Sequence, residues 1–220
     1  MPAEALMAGA AYRRLHDVAV ALHGASSGGA GADAELSGEV EPEREYFRRV
    51  RVAPGVELRV VVEGRGPLVV LLHGFPQGWY LWRHTIKPLV DAGFRVAAPD
   101  QRGYGLSDAP AEVSQYGLKT LTRDVVELAR GLGHDTFYMV GHDWGCQVAW
   151  HVAALFPQSV LGVVGLDVPY TRDPSRGGVA KQLQDDPSRF WYIKEFMENA
   201  ERFAVCTAHS QQRARRARQR

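Results

Sequence analysis

The segment Gly141-His142-Asp143-Trp144-Gly145 places a carboxylate between two glycines, after an apolar run at 136–140 and before a helical stretch at 145–156. A strand that turns sharply into a helix needs small residues flanking the turn, and it pushes the central side chain into the open. Serine usually fills that position and attacks acyl carbons. Asp143 implies different chemistry. A carboxylate displaces a leaving group at a saturated carbon and becomes an ester, whose carbonyl water then attacks. The competing reading of these five residues is a plain structural turn. The strand-turn-helix setting favours the nucleophile.

A second motif supports the first. His73-Gly74-Phe75-Pro76 directly follows the continuous apolar run at 68–72. In a strand-turn-helix architecture of this kind, the loop after the earlier strand supplies one backbone N–H to a developing oxyanion. The residue after the nucleophile supplies the other. The expected donors are Phe75 and Trp144. They would stabilise the tetrahedral oxyanion formed on Asp143 during ester hydrolysis.

The elements that must position these residues are legible from residue 45 onward. The β-rich runs 46–52 and 56–63, separated by Ala53-Pro54-Gly55, predict a hairpin-like pair. The run 68–72 predicts a strand buried on both faces. A helix is expected over 79–92 with Gly93 at its end, then a buried strand over 94–98 and a glycine-rich loop from 101 to about 113. Leu118, Leu121, Val125, Leu128 and Leu132 recur at spacings of three and four, which predicts an amphipathic helix closed by Gly133. Strands at 136–140 and 160–166 bracket the helix after Asp143. Strands alternating with helices predict an α/β fold with a mostly parallel sheet covered on both faces. In such sheets ligands sit beyond the carboxyl ends of the strands. There the sequence places His73, Asp100, Asp143 and Asp167, with no metal-ligand spacing among them.

Composition excludes several function classes. Of 220 residues, 45% are hydrophobic and 23% charged, which is ordinary globular usage. The formal net charge of +1 hides an asymmetry: five arginines lie in the last eight residues, and without them the charge is −4. A nucleic-acid surface is not expected outside that tail. No phosphate-binding glycine motif follows a strand, so no nucleotide and no other cofactor is expected. No apolar run approaches the roughly 18 residues of a membrane span. Two cysteines, Cys146 and Cys206, make no disulfide framework, which fits a reducing, cytoplasmic setting. Residues 1–44 are Ala- and Gly-rich and read as a flexible segment.

Further stretches join the two motifs. They are Trp79 with Trp82-Arg83, then Pro99-Asp100-Gln101-Arg102-Gly103-Tyr104-Gly105-Leu106-Ser107-Asp108-Ala109-Pro110, and finally Phe156-Pro157. With these in order, residues 46–170 resemble the α/β-hydrolase fold enzymes with an Asp nucleophile, most closely the epoxide hydrolases. The resemblance implies a hydrolase acting on a small hydrophobic substrate, a cis peptide before Pro76, and Ser107 as a loop residue. It implies a substrate pocket touching His73, Pro76, Trp144 and Tyr192, the last as a lid tyrosine that hydrogen-bonds the epoxide oxygen. Asp167 takes the place of the triad acid in some relatives. A strand-terminal turn residue is the alternative for Asp167, and an aromatic packed on a lid helix is the alternative for Tyr192.

The resemblance divides the chain into a core at 45–168, the start of a helical lid at 169–205 and a basic tail at 206–220. The family's catalytic His follows the last strand of the sheet. Only His151 and His209 come after the nucleophile, and neither is expected to be that base. As written, the chain is expected to stop inside the lid and to be alkylated without turning over. Two other readings stay open. One is dehalogenation with the same Asp143, and the other is a catalytically dead binding protein. Oligomeric state has no signature in the sequence.

Overall fold

The computed structural model describes residues 46–170. The chain divides into two compact units, Met1–Asp167 and Val168–Arg220, and the architecture below belongs to the first. The lid, the basic tail, the N-terminal segment, Tyr192 and His209 lie outside the described residues.

Strand β1 (Phe47–Ala53) turns through Pro54-Gly55 into β2 (Val56–Gly64), and the two pair antiparallel. The all-apolar β3 (Leu68–Leu72) follows, buried at every position. A 3-10 turn (Trp79–Trp82) leads into helix α1 (Arg83–Asp91) and then β4 (Arg95–Pro99). After a loop containing a second 3-10 turn (Val113–Tyr116) come helix α2 (Leu118–Gly131), β5 (Phe137–His142), helix α3 (Trp144–Leu155) and β6 (Val160–Leu166). The strand order is β1-β2-β4-β3-β5-β6, with β1–β2 and β2–β4 antiparallel and the β4–β3, β3–β5 and β5–β6 pairs parallel.

Residues 79–92 depart from the single helix expected of them. The first turn is a 3-10 turn, and the α-helix begins at Arg83. A 3-10 turn brings residues i and i+3 onto one side, here Trp79 and the buried Trp82. The backbone N–H of Trp79 is also drawn to Asp100 Oδ1 at 2.9 Å.

Alternation along β3 builds two cores. Leu68, Val70 and Leu72 face Val125, Leu128 and Ala129 of α2 and Val148 and Val152 of α3. Val69 and Leu71 face Trp82, Ile86 and Leu89 on the α1 side, together with Val96, Tyr138 and Val140. Full burial of each such side chain is worth about 1.5–3 kcal/mol, so the central strand is pinned from both faces. The loops after β3, β4, β5 and β6 therefore emerge at fixed heights along one edge. Among the described residues, no helix is long and apolar enough to cross a membrane.

Candidate active site

Strand β5 runs two residues further than its apolar stretch, to His142, and α3 starts at Trp144, so Asp143 alone makes the turn. Its backbone is at φ 53° and ψ −120°, a region that costs a non-glycine residue of order 1–3 kcal/mol. The main chain is held there because Cys146 N–H donates to Asp143 O at 2.9 Å, starting the helix. The flanking glycines are required by close approach. A Cβ on Gly145 would meet the Leu72 carbonyl oxygen at the end of β3, and one on Gly141 would lie 2.6 Å from the Gly145 carbonyl oxygen. Gly145→Ala is expected to destabilise the fold by about 1–3 kcal/mol through overpacking. Chemical denaturation of the variant checks this.

The loop after β3 meets the elbow directly. Phe75 N–H donates to Asp143 Oδ1 at 2.9 Å. Gly74 packs against the same side chain, and a Cβ there would lie 2.5 Å from Asp143 Oδ1. The Phe75-Pro76 peptide is cis. Gln77 closes the loop on itself, its N–H donating to Gly74 O at 3.0 Å and its Oε1 accepting from Gly74 N–H at 3.2 Å. The same Oε1 lies 3.1 Å from His142 Nδ1, which ties the loop to the elbow. Trp144 opens α3, so its N–H has no acceptor within the helix. Trp144 is 51% exposed and Phe75 is 39% exposed, so two partly exposed aromatic residues flank the carboxylate in the loop and at the elbow.

His73 is placed differently from these. It is fully buried. Its Nδ1–H donates to Gly74 O at 2.8 Å, and its Nε2 accepts from Gln101 N–H at 3.0 Å. Both ring nitrogens are thus committed to backbone, and the ring holds the loop. Burial lowers its pKa below 6.5, partly opposed by the Gly74 bond and the Asp100 charge. The folded protein therefore holds a neutral imidazole that the unfolded chain would protonate. That contribution to stability is fully present above pH 6.5 and is lost as pH falls from there through the folded pKa. Denaturation midpoints are expected to decline on acidification through this window. His73→Gln should flatten the decline, leaving the same-sign share of His134, whose pKa burial and Arg95 also lower.

Asp100 is likewise inward. Its Oδ1 accepts Trp79 N–H, and its Oδ2 lies 3.4 Å from Leu106 N and 3.8 Å from Arg59 Nη1. It organises two loops. Ser107 donates to Asp100 O at 2.5 Å and accepts from Arg59 N–H at 2.8 Å, so its hydroxyl is bound into the backbone. Tyr104 stacks edge-on against His73 at 4.8 Å. Burial, and then the Asp143 charge, raise its phenol pKa above the ordinary value. Asp167 is exposed, with φ 84°. The register pairs His142 with Leu166, so Asp143 and Asp167 leave neighbouring parallel strands at the same level. His151 lies on α3, with Nδ1 bonded to Gln147 O at 2.7 Å.

Sequence reasoning missed Gln77, Gln101 and the buried pair Arg102–Asp124. Asp124 had a signal: it follows Leu121 by three residues and precedes Leu128 by four, which puts a charge on the apolar face of α2. Arg102 Nε and Nη2 each donate to its carboxylate at 2.7 Å. Those hydrogen bonds hold the guanidinium still more firmly protonated than usual, against the pull of burial.

A mostly parallel sheet with a carboxylate on a glycine-flanked elbow, faced by a backbone N–H from the loop after the central strand, defines a hydrolase scaffold. Residues 67–216 match the alpha/beta hydrolase fold family, and the chain belongs to it. It is similar to the AB hydrolase superfamily protein YfhM of Bacillus subtilis (strain 168), with 48% identity over 118 residues that cover 53% of this chain and 41% of that protein. Epoxide hydrolase B of Mycobacterium tuberculosis (strain ATCC 25618 / H37Rv) is 52% identical over 106 residues, 48% of this chain and 30% of that one. The crystal structure of epoxide hydrolase A from Mycobacterium thermoresistibile superposes with a TM-score of 0.57 and 45% identity, covering 63% of this chain and 44% of that one. The chain thus spans less than half the length of each of these relatives.

Proposed function

We propose that this chain carries the nucleophilic half of an epoxide hydrolase-like active site, with Asp143 as the attacking carboxylate. The observation that supports this most is the pairing of a strained elbow Asp with the Phe75 N–H on Oδ1 at 2.9 Å. With Oδ1 so held, Oδ2 is the oxygen left to attack. A bond forms from Oδ2 to an epoxide carbon, the ring C–O bond breaks, and the ring oxygen leaves as an alkoxide that takes up a proton. Tyr192 is the proposed donor. Water then adds to the ester carbonyl at Asp143. The Phe75 and Trp144 N–H groups hold the resulting oxyanion, an arrangement worth about 2.7–4 kcal/mol per donor in well-studied hydrolases. Collapse releases a diol and restores the carboxylate.

In this reading Asp167 orients the base that activates the water, and its register beside Asp143 supports that place. Pro76, next to Phe75, is proposed to line the substrate pocket. The partly exposed Phe75 and Trp144 favour a small hydrophobic substrate. The epoxide hydrolases among the relatives favour an epoxide over other electrophiles. The partly exposed Trp144, whose indole is a potential halide donor, supports dehalogenation as the second reading. Free halide released from a haloalkane, without reaction of an epoxide, would favour it.

A single turnover of an aryl epoxide in heavy-oxygen water, by a version of the protein that carries the family's catalytic His, tests the mechanism. One heavy oxygen is expected on Asp143 by peptide mass mapping. Label confined to the diol would contradict a covalent ester.

A further inference from the structure

We propose that Gln101 is a positioning residue that fixes the Phe75 N–H against the Asp143 carboxylate. Its part in catalysis rests on the reading of Asp143 as nucleophile; its structural action does not. Gln101 follows β4, one strand over from the loop it acts on, and is 9% exposed. Its side-chain Nε2 donates to His73 O at 2.6 Å, and its backbone N–H donates to His73 Nε2 at 3.0 Å. One residue therefore grips His73 by both main chain and ring, 28 positions away in sequence.

From His73 the order passes along the loop. The ring's Nδ1–H holds Gly74 O, and the same oxygen accepts Gln77 N–H. Gly74 N–H is bound by Gln77 Oε1, and the next amide, Phe75, points at Asp143. Phe75 is 39% exposed, and the polar ties of Gly74 and Gln77 lie directly beside its N–H in the loop. Gln77 ties the loop to itself and to the elbow, whereas Gln101 anchors it to the sheet. Gln101 is in turn steadied by its neighbour Arg102, bonded through two nitrogens to Asp124 on α2.

Amide hydrogen exchange on the 220-residue chain labelled with nitrogen-15 phenylalanine tests this. Phe94 N–H, bonded to Leu89 O, and Phe137 N–H, bonded to Ser159 O, serve as internal controls. In Gln101→Met, a side chain of similar length with no donor, Phe75 exchange is expected to accelerate about fivefold to tenfold, the scale of one lost hydrogen bond. Phe94 and Phe137 should change less than about twofold, since their bonds are distant and independent. Equal acceleration of all three would mean a merely structural role and overturn the proposal, as would an unchanged Phe75.

Gln101→Glu keeps the inference testable if the Met variant does not fold. Protonated, the Glu can donate to His73 O; ionised, it repels that oxygen, and burial favours the protonated form. Its Phe75 exchange relative to wild type at the same pH should be near one at acidic pH and raised at alkaline pH. Taking the ratio at each pH removes the intrinsic pH dependence of amide exchange, which is common to both proteins. A ratio independent of pH would overturn the proposal.

Treatment with an epoxide separates the two claims. If wild type forms no adduct at Asp143, the nucleophile reading fails while the exchange result still decides the role of Gln101. If the adduct forms, hydroxylamine cleaves it to a hydroxamate on Asp143 and frees the alcohol oxygen, passing through the same oxyanion. Cleavage is then expected to slow about tenfold in Gln101→Met, less than the 10² to 10³ of an oxyanion donor removed outright. Alkylation should slow less than cleavage, because it builds no oxyanion on Asp143. An equal slowing of both steps would overturn the catalytic role.

Discussion

Asp143→Gly and Asp143→Ala are both expected to lose alkylation by an epoxide by more than about a thousandfold, the scale on which removing a covalent nucleophile acts. Yet the backbone strain relieved in the glycine variant is about 1–3 kcal/mol, so glycine should remain the more stable of the two after its entropic cost. Both lack the carboxylate and its bond from Phe75 N–H, so that loss cancels between them. What differs is the backbone at φ 53° and ψ −120°, which glycine adopts freely and alanine does not. The greater unfolded-chain freedom of glycine offsets about 0.4–1 kcal/mol of the gain. Urea denaturation of the two variants, alongside intact mass after epoxide treatment, reads both effects. Equal stabilities would mean that the strain at the elbow is no larger than the roughly 0.4–1 kcal/mol of glycine's unfolded-chain freedom. Retained alkylation would move the nucleophile elsewhere.

The largest expected effect on stability lies away from the elbow. Asp124→Ala leaves the Arg102 guanidinium buried, its side chain 2% exposed, without its counter-charge. Removing one partner of a buried pair costs about 3–5 kcal/mol, because the remaining charge stays desolvated. The remaining bond from Arg102 Nη1 to Gln115 Oε1, at 3.3 Å, is to a neutral group and does not replace a carboxylate. The double variant Asp124→Leu with Arg102→Met should recover most of that loss, since apolar residues of similar volume carry no such penalty. Denaturation midpoints of the single and double variants check this. A loss below about 1 kcal/mol for Asp124→Ala would place the pair among solvent-screened ion pairs.

The parts of the fold written in short local patterns were readable from sequence. The run Leu68-Val69-Val70-Leu71-Leu72 is apolar at both parities because helices cover both faces of β3. The glycines around Asp143 mark the elbow because a Cβ at either position would strike neighbouring backbone. Leu118 to Leu132 announced α2 by its spacing, though Asp124 on the same face passed unnoticed among leucines. What could not be read were ties between distant residues. The bonds of Gln101 to His73, and of Asp100 to the Trp79 and Leu106 amides, join side chains to backbone across the sheet edge and leave no periodic trace. For the same reason His73 and Asp100 stood level with Asp143 in the sequence reading, at the ends of their strands. In the structure both are turned inward to hold the loops, and Asp143 keeps its place at the turn. The strand order, with β4 between β2 and β3, also depends on pairing that no single segment encodes.

Intact mass spectrometry after incubation of the chain with a reactive aryl epoxide, followed by peptide mapping, tests the role of Asp143 most directly. The expected result is a single adduct of the epoxide's mass on Asp143, cleaved by hydroxylamine and absent in Asp143→Ala. A folded chain that forms no adduct, or one whose adduct maps elsewhere and survives Asp143→Ala, would contradict it.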